Sequence, residues 1–378
     1  MIDRQKTILQ VLPKLDAGGA ERVAIEIAEA VSRAGWRPLI AAEDGLLTHL
    51  AKRAGAEIIN LPLATKNPLK IKKNAKKLRR IIKENHVDLV HAHSRAPAWS
   101  AYYASRKLGI PFITTYHGSY NEENWLKRRY NRVMVLGDRV VAVSNFIADL
   151  IKSRYQFDFT KINVIHNGVD PHKFDPTSIK GDRAVRLAKE WRIEDGHPNI
   201  LLPARLTSWK GQTLFIEALA RMKHQETVGI LIGSDQGRHH YTQELMDLAV
   251  KSGVGGRLRL AGHLEDMPAA LKLADIVVNC SLEPEAFGRT IIEAQAMGKI
   301  VVAANHGGAR ETIEPNVSGF LVPPNDAAAL AAVFDMILEG NMDMRLAFGA
   351  RAREAVIQRF SLAAMQARYL ELYTEILG

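Results

Sequence analysis

Short apolar segments alternate with amphipathic segments of about 10–18 residues along most of the chain, and this alternation constrains the fold more than any other feature. We predict that the apolar segments are buried strands and that the segments between them are helices. Strands separated by helices form a parallel sheet covered on both faces. The predicted strands are 7–12, 38–42, 56–61, 87–92, 111–116, 139–144, 162–166, 199–204, 227–233, 257–262, 275–280, 299–304 and 319–322.

The alternation stops once, near residues 167–198, where the segment 167–176 contains two prolines, a glycine and two aspartates. Such residues are typical of turns, and 378 residues exceed one ordinary core. We therefore predict an α/β protein with two doubly wound, Rossmann-like domains facing across a cleft that holds the active site. The predicted parts are an N-terminal domain 1–167, a linker 168–198, a C-terminal domain 199–357 and a C-terminal helix 358–378 that returns to the first domain.

The charge is distributed unevenly between the two halves. The chain has 51 Lys and Arg against 41 Asp and Glu, a net charge of +10. Residues 1–180 hold 30 basic against 17 acidic side chains, whereas residues 181–378 hold 21 against 24. The first half, at +13, is therefore the part expected to meet an anionic partner.

Several classes of protein are excluded by composition. The single cysteine, Cys280, makes neither an intramolecular disulfide nor a cysteine-rich zinc site. No run of about 18 apolar residues predicts a spanning helix, and the N-terminal apolar stretch is too short for a signal peptide. We expect a cytoplasmic location.

Three segments that follow predicted strands carry candidate ligand-binding residues. Gly18 and Gly19 precede a helix, an arrangement that suits close approach of an anion or a plain tight turn. Arg205 and Lys210 lie five residues apart in a loop, where they would suit a diphosphate or would simply be solvated. Glu285 in a loop and Glu293 eight residues later would contact different hydroxyls of one ligand. Otherwise Glu285 is an acid at a helix start, favoured by the helix dipole, and Glu293 is an ordinary helix residue.

Eight motifs occur in an order that resembles glycosyltransferase family 4, whose members are retaining, nucleotide-sugar-dependent enzymes of the GT-B fold. The combination of Glu-x7-Glu with Arg-x4-Lys-Gly is the most specific part, and the resemblance covers nearly the whole chain. The motifs are GGAER (18–22), HAHS (91–94), YHG (116–118), AVSNF (142–146), IHNGVD (165–170), ARLTSWKG (204–211), GHLEDM (262–267) and EAFGRTIIEA (285–294).

The resemblance makes 1–167 the acceptor-binding domain and 199–357 the donor-binding domain, and it implies a role for each matching residue. The donor diphosphate would be held by Arg205 and Lys210, the ribose by Glu293, and the transferred sugar by Glu285. His117 would lie near the anomeric carbon, and Gly19 would approach the phosphate or the acceptor. The remaining donor-binding residues implied are the backbone amides of Ala286, Phe287 and Gly288, and Leu264 and Asp266 beside the nucleobase.

Two departures from the family pattern fall on the donor side. Residues 233–237 read GSDQG where the family commonly has closely spaced glycines, and Arg289 replaces a usually aliphatic residue. Arg289 would reach a phosphate or a base edge, or would be solvated. Whether the donor nucleotide is UDP or GDP, and which sugar it carries, therefore stay open.

The expected reaction is hexosyl transfer with retention from a nucleotide diphosphate sugar, with Arg205 and Lys210 stabilising the leaving group. No Asp-x-Asp signature occurs, so we expect no metal and no other cofactor. His117, Glu285, Arg205 and Lys210 are the predicted catalytic residues.

Two basic segments, 66–83 and 125–132, suit contact with an anionic membrane or are simply solvated helix faces, and we expect membrane contact. Leu69, Leu78, Ile81 and Ile82 supply an apolar side to the first. We expect a peripheral enzyme on the cytoplasmic face of the inner membrane, with a lipid-linked or oligosaccharide acceptor of lipopolysaccharide core or surface polysaccharide. The residues predicted to face acceptor or membrane are Gly18, Lys72, Lys73, Lys76, Lys77, Arg79, Arg80, Trp125, Lys127, Arg128 and Arg129.

Other classes explain less of the sequence. A soluble transferase making a small glycoside or disaccharide would need no basic helices. A nucleic-acid-binding protein would use the +13 half, but no such motif is present, so we expect no nucleic-acid partner. A glycoside hydrolase would leave the two cations without a role, and no motif indicates the pyridoxal phosphate lysine of a phosphorylase.

Overall fold

The fold is taken from a computed structural model in which residues 4–16 and 18–378 are described. The chain forms two compact units. The first comprises the described residues up to Asn167 together with Leu362–Gly378, and the second comprises Gly168–Ser361. Each unit is described separately.

The first unit contains a parallel sheet of seven strands in the order β3-β2-β1-β4-β5-β6-β7. Its elements are β1 (Thr7–Lys14), α1 (Gly19–Arg33), β2 (Arg37–Glu43), α2 (Thr48–Arg53), β3 (Glu57–Asn60), α3 (Pro68–Glu84), β4 (Leu89–Ala92), α4 (Arg95–Leu108), β5 (Phe112–Tyr116), α5 (Trp125–Asn131), β6 (Arg139–Ala142), α6 (Asn145–Arg154) and β7 (Ile162–Val164).

The second unit contains a parallel sheet of six strands in the order β10-β9-β8-β11-β12-β13. Its elements are α7 (Gly181–Glu190), β8 (Asn199–Pro203), α8 (Gln212–Arg221), β9 (Val228–Ile232), α9 (His239–Lys251), β10 (Leu258–Gly262), α10 (Met267–Leu273), β11 (Ile276–Asn279), α11 (Arg289–Ala296), β12 (Ile300–Ala304), α12 (Ala309–Thr312), β13 (Phe320–Val322), α13 (Ala327–Glu339) and α14 (Met342–Arg359).

Each of the thirteen predicted strands has a counterpart in these two sheets, shorter or longer by a few residues at its ends. Residues 168–198, the predicted linker, belong to the second unit. The helical segment expected at 342–377 is two helices, because the chain leaves helical geometry at Phe360. The second helix, α15 (Leu362–Leu377), belongs to the first unit.

Helix α15 completes the core of the first unit. Its residues Tyr369 and Tyr373 are buried against Val23 and Ile27 of α1 and against Ile113 of β5. Two tyrosines that are at most 1% exposed bury enough apolar surface to hold the last helix in place.

Helix α3 begins where the sequence favours a helix start. The side chain of Asn67 accepts hydrogen bonds from the amides of Leu69 and Lys70, and Pro68 occupies the first turn. Leu78 and Ile82, at most 3% exposed, pack inside the unit. Most of the predicted apolar side therefore serves the core, Ile81 is half-buried, and Leu69 remains 76% exposed.

Candidate functional site

Strand order reverses between β8 and β11 in the second unit and between β1 and β4 in the first. The connections that leave such a pair of strands diverge, which opens a crevice at their carboxyl ends where doubly wound sheets bind ligands. In the second unit the loops at this position are 204–211 and 280–288. They contain Arg205, Lys210 and Glu285, which the sequence selects as candidate catalytic residues.

Lys210 and Glu285 form an ion pair at this edge. The Lys210 Nζ lies 2.5 Å from Glu285 Oε1, and the two side chains are only 13% and 16% exposed. The hydroxyl of Ser281 donates a hydrogen bond to the same carboxylate oxygen. The Lys210 ammonium also lies 4.2 Å from the ring centroid of Trp209, a favourable cation–π distance.

The carboxyl group of Glu285 is held in its charged form. Burial raises its pKa, but the Lys210 ammonium and hydrogen bonds from Ser281 and Asn279 outweigh that effect, so the pKa lies below its usual value. A charged carboxylate only accepts hydrogen bonds, and an ammonium only donates them. The pair therefore presents both functions needed to bind a ligand that carries hydroxyls beside phosphate.

Gly211 fixes the approach of the two loops. Its φ of +76° is a left-handed conformation, and a Cβ there would lie 2.1 Å from the carbonyl oxygen of Cys280. The amide of Leu282 donates to the carbonyl of Trp209 at 2.7 Å. The Arg-x4-Lys-Gly motif therefore needs its glycine to let one loop pack directly on the other.

A third loop, 305–308, closes around the backbone of Glu285. The amide of Gly308 donates to the Glu285 carbonyl at 2.8 Å, and a Cβ at Gly308 would lie 2.4 Å from Cα of Phe287. His306 Nε2 lies 2.9 Å from the carbonyl oxygen of Ser281. The sequence analysis did not select this loop; its adjacent glycines after β12 were the available signal.

Helix α11 begins immediately after Gly288, whose φ is +90°. The Nε of its first residue, Arg289, lies 3.8 Å from Oε1 of Glu293, and both side chains are 15% exposed. Phe287 is buried and packs edge-on against Phe360, while Ala286 is half-buried. Arg289 therefore lies beside Glu293. It is not simply solvated, which was one of the alternatives that the sequence left open.

Arg205 differs from Lys210 in its surroundings. It is exposed, and its guanidinium makes no ion pair within residues 4–16 and 18–378. The backbone carbonyl of Arg205 accepts from the side chain of Gln212, which anchors the loop to the start of α8. A cation on an anchored loop suits the capture of an anionic ligand.

The loop after β10 contains Leu264 and Asp266. Leu264 is half-buried. Asp266 forms a bidentate pair with Arg183 of α7, at 2.8 Å for Nε and 2.5 Å for Nη2, and caps α10 through the amide of Ala269. The bonds from Arg183 are the main cause that lowers the pKa of Asp266. Asp266 thus has a structural function here, and its position beside a nucleobase stays a prediction.

The departure at 233–237 is a loop organised by Asp235. Its carboxylate accepts from the amide of Gly237 and lies 2.8 Å from His239 Nδ1. Gly233 lies tightly against the chain, because a Cβ there would be 2.1 Å from the carbonyl oxygen of Ala204. The first glycine of the pattern is therefore required by packing, whereas the Asp235 side chain shapes the rest.

In the first unit, Gly18 and Gly19 lie at the start of α1. Gly18 is its N-cap, in extended conformation, and Gly19 is exposed. The carboxylate of Glu21 lies over Gly18, so a Cβ there would meet Glu21 Oε2 at 2.1 Å. A carboxylate at a helix N-terminus is stabilised by the helix dipole, which agrees with an anion-favouring position.

Three histidine rings contact one another at the carboxyl ends of β4 and β5, tilted between His91 and His93 and stacked between His93 and His117. The rings of His91 and His93 are 4.0 Å apart, and those of His93 and His117 are 5.2 Å apart. His91 Nδ1 lies 2.7 Å from the hydroxyl of Tyr373 and its Nε2 lies 2.7 Å from the hydroxyl of Thr115. Burial lowers the pKa of His91 and His93 well below the usual value. The sequence analysis selected only His117.

Most of the basic residues predicted to face a membrane are exposed. Arg80 pairs locally with Glu84 at 2.6 Å and Lys127 with Glu123 at 2.8 Å, whereas the Arg128 guanidinium donates to the carbonyl oxygen of Arg154, 26 residues later. Trp125 is 68% exposed. Arg79 is half-buried, whereas Lys72, Lys73, Lys76, Lys77, Arg80, Lys127, Arg128 and Arg129 are exposed.

Two searches of the described residues found nothing. No helix among them has the length and apolar character needed to cross a bilayer. In residues 4–16 and 18–378, no group of three or more His, Cys, Asp or Glu side chains is arranged to hold a metal ion.

Sequence comparisons agree with the division of the chain. Residues 17–173 match Glycosyltransferase Family 4, and residues 186–355 match Glycosyl transferases group 1. A D-inositol 3-phosphate glycosyltransferase of Xylanimonas cellulosilytica is 29% identical over 309 residues, which are 77% of this chain and 73% of that protein.

Two crystal structures match the whole chain. A glycosyltransferase from Rickettsia africae is 39% identical, with a TM-score of 0.90 over 99% of both chains. Anabaena HepE in complex with UDP-glucose is 25% identical, with a TM-score of 0.87 over 98% of this chain and 99% of that one. The chain therefore belongs to glycosyltransferase family 4 and has the GT-B fold of two doubly wound, Rossmann-like units.

Proposed function

We propose that the protein is a retaining hexosyltransferase that takes its sugar from a nucleotide diphosphate, UDP- or GDP-linked. The observation that carries this proposal is the buried Lys210–Glu285 pair at the carboxyl ends of β8 and β11. HepE, which has the same fold, was crystallised in complex with UDP-glucose, and this favours a UDP-sugar.

Charge and hydrogen bonding assign the roles. Lys210 and the exposed Arg205 neutralise the diphosphate, Glu285 accepts hydrogen bonds from hydroxyls of the transferred sugar, and Glu293 accepts them from the ribose. The loop that leads into α11 adds backbone amides at Ala286, Phe287 and Gly288. In this proposal Leu264 and Asp266 lie beside the nucleobase, Arg289 reaches a phosphate or the edge of the base, and the roles of Gly19 and His117 follow from the family resemblance.

The reaction breaks the bond between the anomeric carbon and the diphosphate oxygen. Negative charge grows on that oxygen, and fixed cations lower the energy of this transition state. The acceptor hydroxyl attacks from the face that the diphosphate leaves, and the departing phosphate takes its proton. Because Arg205 and Lys210 supply the positive charge, we propose that turnover needs no metal.

A thermal-shift panel identifies the donor. UDP, GDP and ADP, each free and with its sugars, are tested against the full chain, and a ligand that binds only the folded state raises the unfolding temperature by an amount that grows with the ratio of its concentration to its Kd. We expect a rise with UDP- or GDP-linked sugars that is smaller in Lys210→Ala and unchanged in Lys223→Ala. No rise with any nucleotide would contradict a nucleotide-sugar donor.

Product analysis tests the stereochemistry and the metal requirement. NMR of the first product should show the anomeric configuration of the donor, and excess EDTA should leave the rate unchanged. An inverted product would refute retention. Loss of activity in EDTA that is restored by a divalent ion would refute metal independence.

We further propose that the acceptor is lipid-linked and anionic, of the lipopolysaccharide core or surface polysaccharide class. The protein would act peripherally on the cytoplasmic face of the inner membrane. The row of exposed lysines on α3, together with Leu69 and Trp125, supports this. The Xylanimonas relative is named for an acceptor that carries a phosphate.

Sedimentation with vesicles tests the membrane proposal. Each cation close to an anionic surface contributes about 1 kcal/mol, so Lys72, Lys73, Lys76 and Lys77 changed together to Gln should weaken binding at least about ten-fold. The control changes four exposed lysines of the second unit, Lys180, Lys189, Lys223 and Lys251, to Gln. Equal binding to neutral and anionic vesicles at low salt would refute the electrostatic attraction.

A soluble transferase that makes a small glycoside is the second candidate. The burial of Leu78 and Ile82 favours it, because α3 then lacks most of its apolar side for insertion into a membrane. Transfer to a water-soluble acceptor without vesicle binding would select this candidate.

A further inference from the structure

Three polar side chains of the first unit form one hydrogen-bonded chain across the adjacent strands β1, β4 and β5. They are Gln10 of β1, His93 after β4 and His117 after β5. Gln10 is fully buried, His93 is 1% exposed and His117 is half-buried. The proposed donor site uses neither Gln10 nor His93.

The orientation of the Gln10 carboxamide follows from its partner on α1. Its Nε2 lies 2.9 Å from the carbonyl oxygen of Ala24, and only the amide nitrogen can donate to a carbonyl. The Gln10 Oε1 therefore faces His93 Nε2, at 2.8 Å. Since a carbonyl oxygen only accepts, the proton of His93 is on Nε2.

The same reasoning extends to His117. Burial, with repulsion from His91 and His117, lowers the pKa of His93 well below its usual value, so its ring is neutral near pH 7. A neutral imidazole with its proton on Nε2 has a lone pair on Nδ1. That atom lies 3.0 Å from His117 Nε2, which must therefore donate.

We propose that His93 and Gln10 are positioning residues that hold His117 with its proton on Nε2, so that Nδ1 is the nitrogen that accepts a hydrogen bond from a substrate hydroxyl. The substrate contact rests on the proposed function, whereas the position of the proton does not. The hydrogen bond from Gln10 to Ala24 and the one between His93 and His117 also fix the plane of the His117 ring before substrate arrives. This reduces the ordering needed on binding.

Gln10→Glu tests the relay because it reverses the direction of the chain. A buried carboxylate beside His93 stabilises the imidazolium, which carries a proton on both nitrogens. The Nδ1 of His93 then donates, and His117 must accept with Nε2 and carry its own proton on Nδ1. Gln10→Met removes the acceptor without adding charge and should leave His117 as a mixture of both tautomers.

Nitrogen-15 NMR of histidine-labelled full-length protein reads the tautomers directly, with the signals assigned by His93→Gln and His117→Gln. We expect both His93 and His117 of the wild type in the Nε2–H form, and His117 with its proton on Nδ1 in Gln10→Glu. Thr114→Val, a buried change in β5 that removes a 2.6 Å hydrogen bond to Met134, should leave the tautomers unchanged.

A wild-type His117 protonated on Nδ1 would overturn the proposal, as would an unchanged Nε2–H form in both Gln10 variants. In turnover, both Gln10 variants should lower kcat/KM at least about ten-fold, and Thr114→Val should not. If no sugar is transferred but the tautomers are as expected, the proposed function fails and the relay stands. Normal turnover with the reversed tautomer would refute the substrate contact alone.

Discussion

The two units place opposite chemistries at the same topological position. In the second unit the reversal of strand order between β8 and β11 carries an ion pair, Lys210 with Glu285. In the first unit the reversal between β1 and β4 carries a neutral relay, Gln10 with His93 and then His117. One edge is suited to a multiply charged ligand and the other to uncharged hydroxyls.

The difference teaches that the low pKa values of the two edges have different causes. At Glu285 the ammonium of Lys210 favours the charged carboxylate. At His93 the loss of solvent disfavours the charged imidazolium. The edge with Lys210 and Glu285, the charged edge, should therefore dominate binding and turnover. The edge with Gln10, His93 and His117, the neutral edge, should dominate the dependence of stability on mildly acidic pH.

The largest effect is expected from breaking the ion pair. Lys210→Ala and Glu285→Ala should each lower kcat about 10²–10³-fold, since both remove charge complementarity from the reacting groups. Glu283→Ala and Lys223→Ala, exposed residues of the same types, are the controls. Circular dichroism verifies the fold, and near-normal turnover in both site variants would end the assignment of this edge as the donor site.

Gly211→Ala should destabilise the second unit by about 3 kcal/mol, because it combines a left-handed backbone with a Cβ 2.1 Å from the Cys280 carbonyl oxygen. Gly237→Ala is the matched control, with φ of +81° and nothing within 4 Å of its Cβ. It should cost about 1 kcal/mol. Urea unfolding measures both, and equal losses would show that the two loops do not need to pack so closely.

The neutral edge should make stability fall as the pH drops below about 6.5. The unfolded chain then binds protons on His91 and His93, whereas the folded chain does not because burial lowers both pKa values. Each histidine contributes a slope of up to about 1.4 kcal/mol per pH unit. His93→Gln should flatten the curve from pH 7 to 5, and exposed His240→Gln should not.

Glu285 acts in a different window. Its lowered pKa contributes stability that is present above about pH 4.5 and is lost as the pH falls through its folded value. Glu285→Gln should therefore lower stability at every pH above about 4.5 and remove the fall in stability at the acid end of the curve. A single transition shared by His93→Gln and Glu285→Gln would contradict the separation of the two edges.

The smallest effect is expected at the contact between α15 and the histidines. Tyr373→Phe removes the partner of His91 Nδ1, at 2.7 Å, and should cost about 1 kcal/mol of unfolding free energy. Tyr103→Phe, at an exposed tyrosine, should cost almost nothing. A loss no larger than that of the control would mean that Tyr373 stabilises the core by packing alone.

The sequence predicted the sheets well and selected three residues of the charged edge, because both depend on local patterns. Buried parallel strands read as apolar runs, and Arg205, Lys210 and Glu285 lie in loops that directly follow such runs. The Glu285–Lys210 contact joins residues 75 positions apart, so only the fold reveals it. Ser281 and Trp209 were missed for the same reason.

The neutral edge was harder to predict. Gln10 lies within an apolar strand, and its function depends on the orientation of a carboxamide set by Ala24 on a different element. The alternating histidines of 91–94 were visible as a motif, but nothing local shows that His91 meets Tyr373, 282 positions later. Likewise, periodicity gave α3 an apolar side without showing that Leu78 and Ile82 already pack inside the unit.

Hydrogen–deuterium exchange of the full chain, with and without its donor nucleotide, tests the central claim most directly. The claim is that the diphosphate binds at the carboxyl ends of β8 and β11. We predict that binding slows exchange in 204–211 and 280–293, that Lys210→Ala abolishes this change, and that 66–83 is unaffected. Protection of the first unit alone, or protection of the second unit that persists in Lys210→Ala, would contradict the account.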